Sequence, residues 1–191
     1  MSTITQPITV EQYDRMIETG IIGEHDQVEL IEGRLVPKMG RKRPHIQAGK
    51  RSFRAFSRIL PPGWHVVKED PIVASDLSKP EPDLSVVRGD VDDYNDRDVT
   101  ASDLALVVEI AQRSLTDDRT VMARVYAASG IPVYWIINLI DGQVEVYYDP
   151  DQTSSQYSAH VDYKPGDNVP VIIEGRELTR IAVADLLPRR P

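Results

Sequence analysis

Two carboxylates stand in stretches that are otherwise apolar. Glu109 lies inside Leu104-Ala105-Leu106-Val107-Val108-Glu109-Ile110-Ala111, and Asp83 sits in Pro82-Asp83-Leu84-Ser85-Val86-Val87. A carboxylate in low dielectric is costly unless it is paired, hydrogen-bonded or holding a metal. If the two runs are neighbouring strands, their acids converge on one spot. Two or three hard oxygen ligands with open water positions suit Mg²⁺ or Mn²⁺. Such an ion polarises a phosphoryl oxygen, generates hydroxide and stabilises the leaving group of an in-line displacement. The chemistry in view is metal-assisted phosphodiester hydrolysis. Each acid also has a plainer reading, Asp83 as a turn residue and Glu109 as the partner of a core-side arginine.

The elements that must position these acids are readable in outline. From Asp103 to Asn138 the chain reads strand, helix and strand: Leu104–Ala111, a helix ending at Gly130, then Val133–Ile137. That order predicts a βαβ-like unit at the centre of a mixed sheet. Ser114 or Thr116 is expected to cap the helix, and Val121, Val125 and Ala128 to face inward with Met122 and Tyr126 adjacent. Upstream, Thr9-Val10-Glu11-Gln12 has capping-box spacing, which predicts a helix over 10–19. Val28–Ile31 and Arg34–Val36 flank Glu32-Gly33 as a hairpin. Glu29 either faces solvent, as half the residues of a strand do, or joins the site. Trp64–Ala74 is expected to be a strand broken by Pro71, and Arg88–Ser102 an exposed, mobile loop. Downstream, Trp135–Leu139 and Val144–Tyr148 form a tight hairpin. Gln156–Tyr163 and Val169–Ile173 are short antiparallel strands, and Val183–Leu187 a closing helical turn.

Charge is unevenly spread. The 191 residues carry a net charge of −8, yet residues 33–68 contain no acid and ten lysines and arginines. Within this segment Ile46, Phe53, Phe56 and Leu60 are spaced as an inward helical stripe. Lys50, Arg54 and Arg58 then fall four apart on the outer face with Arg51 beside them, after Arg41, Lys42 and Arg43. Facing a duplex, such a stripe neutralises phosphates and releases counterions; the alternative is a solvated helix face. The patch points to a polyanion without identifying one. His45 opens the helix after Pro44, where a surface or capping role is the plainer reading.

The totals set further bounds. The length predicts one domain over 1–191, with a core at about 9–148 and C-terminal strands at 149–191. There is no cysteine, so thiolate ligands, disulfides and a cysteine nucleophile are excluded. No apolar run is long enough to span a bilayer and the start lacks a signal-peptide pattern, so the cytoplasm is the expected location.

Glu29, Pro82-Asp83, Glu109 in its Val-Val-Glu-Ile strand, Asp118-Arg119, and the run from Tyr126 through Gly130-Ile131-Pro132 to Tyr134-Trp135 closely resemble one family. It is the Uma-two-type restriction-endonuclease family of the PD-(D/E)xK nuclease superfamily, and the resemblance extends over roughly 9–148. It implies an α+β restriction-endonuclease-like fold: a central mixed sheet flanked by helices, with a divalent-metal site on the sheet. It implies a DNA endonuclease using Mg²⁺ or Mn²⁺, with Asp83 and Glu109 as metal ligands and Glu29 as a further carboxylate. His45 matches a histidine that often opens the family's basic helix, which places it with Arg41–Arg43, Lys50, Arg51, Arg54 and Arg58 as the candidate DNA-contacting set. Cutting both strands would favour a two-fold homodimer.

One departure matters. Superfamily nucleases carry a lysine that stabilises the attacked phosphate or the water beside the metal, yet Ala111 stands at the lysine position of the (D/E)xK motif. This family usually moves the lysine to the following helix, where this chain has Met122, which neither donates a hydrogen bond nor carries charge. Arg119, one turn earlier, is the candidate partial substitute. Losing one preorganised donor costs about 3–4 kcal/mol, or about 10²–10³ in rate. The expected enzyme is therefore attenuated, and the alternative is a silent nuclease fold that binds DNA or a protein partner.

Overall fold

The computed structural model describes residues 6–23, 25–38 and 40–189. Helix α1 (Val10–Glu18) starts at a reciprocal cap: Gln12 N–H donates to Thr9 Oγ1 at 3.2 Å, and Thr9 N–H donates to Gln12 Oε1 at 3.0 Å. Strands β1 (Val28–Ile31) and β2 (Arg34–Pro37) form the expected hairpin, turning through Glu32 at φ 48° and Gly33 at φ 73°. Helix α2 (Arg43–Ile59) follows, then β3 (Trp64–Val67), β4 (Ile72–Val73), β5 (Leu84–Arg88), β6 (Val99–Thr100) and β7 (Leu104–Ala111). Helix α3 comprises Leu115–Asp117, a π turn at Asp118–Met122 and Ala123–Ala128. Strands β8 (Val133–Asn138), β9 (Gln143–Asp151), β10 (Gln156–Tyr163), β11 (Asn168–Ile173) and β12 (Arg176–Ala182) lead to the short α4 (Val183–Leu186).

Six strands build the central sheet in the order β10-β9-β8-β7-β5-β3. The β7–β8 pair is parallel and every other neighbouring pair antiparallel, so the sheet is mixed, as the βαβ pattern predicts. Leu106, Val108 and Ile110 of β7 face α2 together with Phe56, Trp135 and Ile137. Val107 and Ala111 face α3, beside Tyr126, Tyr134 and Ile136. Strand alternation therefore sends Glu109 to the α3 face. The β11–β12 hairpin and α4 complete the α2-side core through Val169, Val171, Ile181 and Leu186. Among the described residues no helix is long and apolar enough to cross a membrane.

Three expectations change. The inward face of α2 is Ala48, Gly49, Ser52 and Phe56, while Ile46 and Phe53 are each 38% exposed. Small residues on that face let the helix lie close to the sheet; a Cβ on Gly49 would come within 3.3 Å of Lys68 Cε. In α3 the π turn rotates the register, so Asp118, Met122, Val125 and Tyr126 turn inward while Ala128 is exposed. An extra residue in one turn shifts everything after it. Finally, Arg88–Ser102 is structured. A capped 3₁₀ turn spans Val91–Tyr94, Tyr94 OH donates to the Arg88 carbonyl at 2.7 Å, and β6 pairs in parallel with β4. Of this segment's aspartates Asp90 caps the turn and Asp98 accepts Lys79 Nζ at 2.8 Å, while Asp103, just past the segment, receives both Arg97 amino groups at 2.8 and 2.9 Å.

The hairpin turn is tightly placed, since a Cβ on Gly33 would meet Pro7 Cβ at 2.3 Å and Cα at 2.9 Å. Positive φ disfavours a side chain as well. Gly33→Ala is expected to lower stability by about 1–3 kcal/mol, read as a shift in the urea midpoint at unchanged slope.

Candidate active site

A cleft of about 330 Å³ opens between the β1–β2 hairpin, the start of α2, the β5–β7 pair and α3. Leu84 pairs with Val108, so Asp83, one residue earlier, lies beside Glu109 across the antiparallel register. Asp83 is 6% exposed. Its Oδ2 accepts the Ile110 amide at 2.8 Å and lies 3.0 Å from His45 Nε2. Glu109 Oε1 accepts the Tyr126 hydroxyl at 2.7 Å. The neighbouring-strand condition for these two acids is met.

Glu29 also turns into the cleft, where its Oε2 accepts the Glu81 amide at 3.1 Å. Two acids without an assigned role join it. Glu81 stands two residues before Asp83 on an extended segment, so both point to one side. Asp118, on the same helix side as Met122 and Tyr126, accepts Ser114 Oγ at 2.7 Å. Their signals were in the sequence, a two-residue and a four-residue spacing from singled-out positions. Lys38 enters from the end of β2 and donates to Glu81; no sequence spacing linked it to the acids.

Among the described residues six carboxyl groups line the cleft (Glu29, Glu81, Asp83, Glu109, Asp117 and Asp118) against two full cations, Lys38 and Arg41. Burial, reinforced by the charges of Asp83 and Asp118, holds the Glu109 carboxyl well above the usual range; the Tyr126 bond acts in the opposite direction. Burial also pushes Asp118 up to about 7, opposed by the Ser114 bond and reinforced by Asp83, Asp117 and Glu29. Glu29 is raised chiefly by burial, with the Glu81 amide and Lys38 working against it.

This donor set fits a hard divalent cation. Asp83 Oδ1 and Glu109 Oε2 accept no hydrogen bond from the described residues, and the nearest cation to Asp83 Oδ1 is Arg41 Nε at 3.7 Å. Two carboxylate oxygens leave most coordination positions to water or substrate, as Mg²⁺ prefers. The cleft acids do not form a closed trio. Among the described residues one trio has its ligand atoms within 4.8 Å of one another: Glu145, His160 and Asp162, on β9 and β10. Glu145 is already engaged there by Arg119 at 2.6 and 2.9 Å and by Asn138 at 2.7 Å.

That pairing corrects the role expected of Arg119. Its guanidinium grips Glu145 and does not line the cleft. A long side chain one helical turn from Met122 reaches a different partner because the π turn rotates it away. Met122 itself lines the cleft and is 9% exposed. Arg41, placed with the candidate DNA-contacting set, turns into the cleft, bridging Glu69, Glu81 and Asp83. Lys42, Arg43, Lys50, Arg54 and Arg58 are exposed, whereas Arg51 is half-buried, donating to the Ala184 carbonyl at 2.8 Å and lying 3.6 Å from Asp185. Arg43, Lys50, Arg51 and Arg54 line a shallow groove with Arg189.

An acid whose folded pKa is raised binds protons more tightly when folded, so its contribution to stability falls as pH rises from the unfolded to the folded value. For Asp118 that window runs from about 4 to about 7. Wild type minus Asp118→Asn stability, from urea titrations without divalent ions, is expected to decline across this window.

Comparison with known proteins agrees with this architecture. No curated protein matched the sequence. A crystal structure described as "a putative nuclease belonging to DUF820" from Anabaena variabilis is similar at 17% identity and a TM-score of 0.69, covering 94% of this chain and 97% of that one. At that identity the likeness establishes the fold. The model of the Uma2 family, described as "Putative restriction endonuclease", matches residues 10–183. That span takes in the hairpin, the acid cluster, α2 and the whole central sheet, and the chain belongs to the Uma2 family.

Proposed function

We propose that the protein is a Mg²⁺- or Mn²⁺-dependent endonuclease that hydrolyses DNA phosphodiester bonds. Family membership supports a nuclease role and restriction-endonuclease-like proteins generally use divalent metals. The observation that carries the reading is the pairing of Asp83 and Glu109 on neighbouring strands, each with an oxygen left open, in a cleft with excess negative charge. Asp83 and Glu109 would hold the ion. When bound, it would polarise a phosphoryl oxygen and offset charge on the leaving oxygen.

The chain's own residues supply the rest. His45 and the Ile110 amide fix the Asp83 carboxylate from two sides, and Tyr126 orients Glu109. In hydrolysis a water oxygen bonds to phosphorus and one P–O ester bond breaks. The water's proton passes to a carboxylate, and the leaving oxygen is protonated from solvent. Glu29, whose proton affinity burial raises, suits the acceptor role. Helix α2 starts at the cleft with His45 and carries Lys50, Arg54 and Arg58 along its outer side, where they make no ion pair among the described residues. These would contact backbone phosphates, and a two-fold dimer would bring a second cleft to the opposite strand.

Met122 in the cleft wall favours a second reading, a silent nuclease fold that binds DNA without cutting. Supercoiled-plasmid cleavage with Mg²⁺ or Mn²⁺ separates them. The enzyme reading expects wild type to cut and Asp83→Ala and Glu109→Ala to be inactive. An inactive wild type alongside an active Met122→Lys would establish the silent reading. Charge reversal at Lys50, Arg54 and Arg58 is expected to weaken DNA binding and to flatten its salt slope by about one per lost phosphate contact, measured by anisotropy across a salt series.

A further inference from the structure

The cleft has two lysine or arginine side chains among its described lining residues, and they are not equivalent. Arg41 spans Glu69, Glu81 and Asp83, with its guanidinium nitrogens 3.8 Å from Glu81 and 3.7 Å from Asp83. It braces three acids at once and has little freedom to do anything else. Among the described residues Lys38 has a single carboxylate partner, Glu81, and its side chain is 27% exposed in the cleft. An ammonium carries three donors on a flexible four-carbon stem. Its backbone, by contrast, is pinned: Lys38 N–H donates to the Gln27 carbonyl at 2.7 Å, one residue past β2. Lys38 therefore combines a held backbone with an ammonium on a long side chain at the cleft. Met122 faces the same space from α3 and offers no donor.

We propose that Lys38 is the phosphate-facing cation of this cleft, its ammonium leaving Glu81 to donate to a non-bridging oxygen of the scissile phosphodiester. The assignment rests on the nuclease reading above. It gives the segment just after β2 the electrostatic task that α3 cannot perform with methionine at 122. A phosphodiester entering a cleft lined by six carboxyl groups is repelled by any that remain ionised, and Lys38 sits where it can offset that repulsion. Glu81 then acts as the resting partner that keeps the ammonium at the cleft between substrates.

The test compares wild type, Lys38→Met, Lys38→Arg, Met122→Lys and the Lys38→Met/Met122→Lys double variant. With Mn²⁺ on supercoiled plasmid, Lys38→Met is expected to lose about 10²–10³ in single-turnover rate, the scale of one preorganised donor. Lys38→Arg should retain most of the activity, and Met122→Lys should restore the double variant from the opposite wall. Two readouts stand apart from cleavage. Mn²⁺ affinity by calorimetry should hold or tighten in Lys38→Met, because a cation beside the carboxylates has gone. Oligonucleotide affinity in Ca²⁺ should fall in Lys38→Met, because a cation facing the phosphate has gone, and unchanged affinity would count against the proposal. Weakened Mn²⁺ binding in Lys38→Met would assign the residue to bracing Glu81 and overturn the proposal. So would a wild type that cuts alongside an equally active Lys38→Met, an outcome that leaves the nuclease reading standing. A wild type that is inactive while Met122→Lys cuts overturns it too, since Lys38 then does not fill the role. If none of the five proteins cuts, the nuclease reading falls and the assignment falls with it.

Discussion

The Asp83 carboxylate is the point at which the structure holds together. Its Oδ2 accepts the Ile110 amide from β7 and lies against His45 from the first turn of α2. One side chain thus links the start of β5, the end of β7 and the start of the basic helix. The link is expensive to maintain, because a nearly buried charge needs charge-assisted or amide partners on every accessible side. Those partners are also what aim the opposite oxygen into the cleft. Stability and the proposed function draw here on the same carboxylate.

Around that point the acids crowd more closely than their charges favour. Glu109 and Asp118 are both held toward the protonated state, first by burial and then by their neighbours. A site of this kind is under electrostatic load that a divalent cation would relieve, and cation binding would release protons. The chain also segregates its charge along the sequence. Residues 33–68 contain no acid, so α2 presents cations while the cleft at its N-terminus collects carboxylates from β1, the segment before β5, β7 and α3. A polyanion drawn to the helix would meet the acid cleft at its end.

Much of this was legible from the sequence, and the failures have common causes. The mixed sheet, the βαβ centre, both hairpins, the capped first helix and the C-terminal strands follow from alternation, turn residues and capping spacing, which are local. The α2 stripe failed because close packing selects small residues, and Ala48, Gly49 and Ser52 carry little hydrophobic signal. The α3 face failed because one π turn, invisible to a 3.6-residue period, rotates the later side chains. Arg119 was misassigned for the same reason, and its true partner, Glu145, lies on another strand. Arg88–Ser102 read as a loop because its acids look solvated, whereas Asp90 caps a turn and Asp98 pairs with Lys79.

What the sequence determined by itself was the identity of the two central acids and the elements that carry them. A carboxylate inside an apolar strand is anomalous wherever that strand finally packs. The tertiary structure alone decided which other groups meet them. Glu81, Asp118, and the Lys38–Arg41 pair come from three separate segments, and strand pairing and helix packing bring them into one cleft. Spacing relates Glu81 to Asp83 and Asp118 to Met122, but the meeting of these segments depends on contacts between residues far apart in the chain, which no local periodicity records.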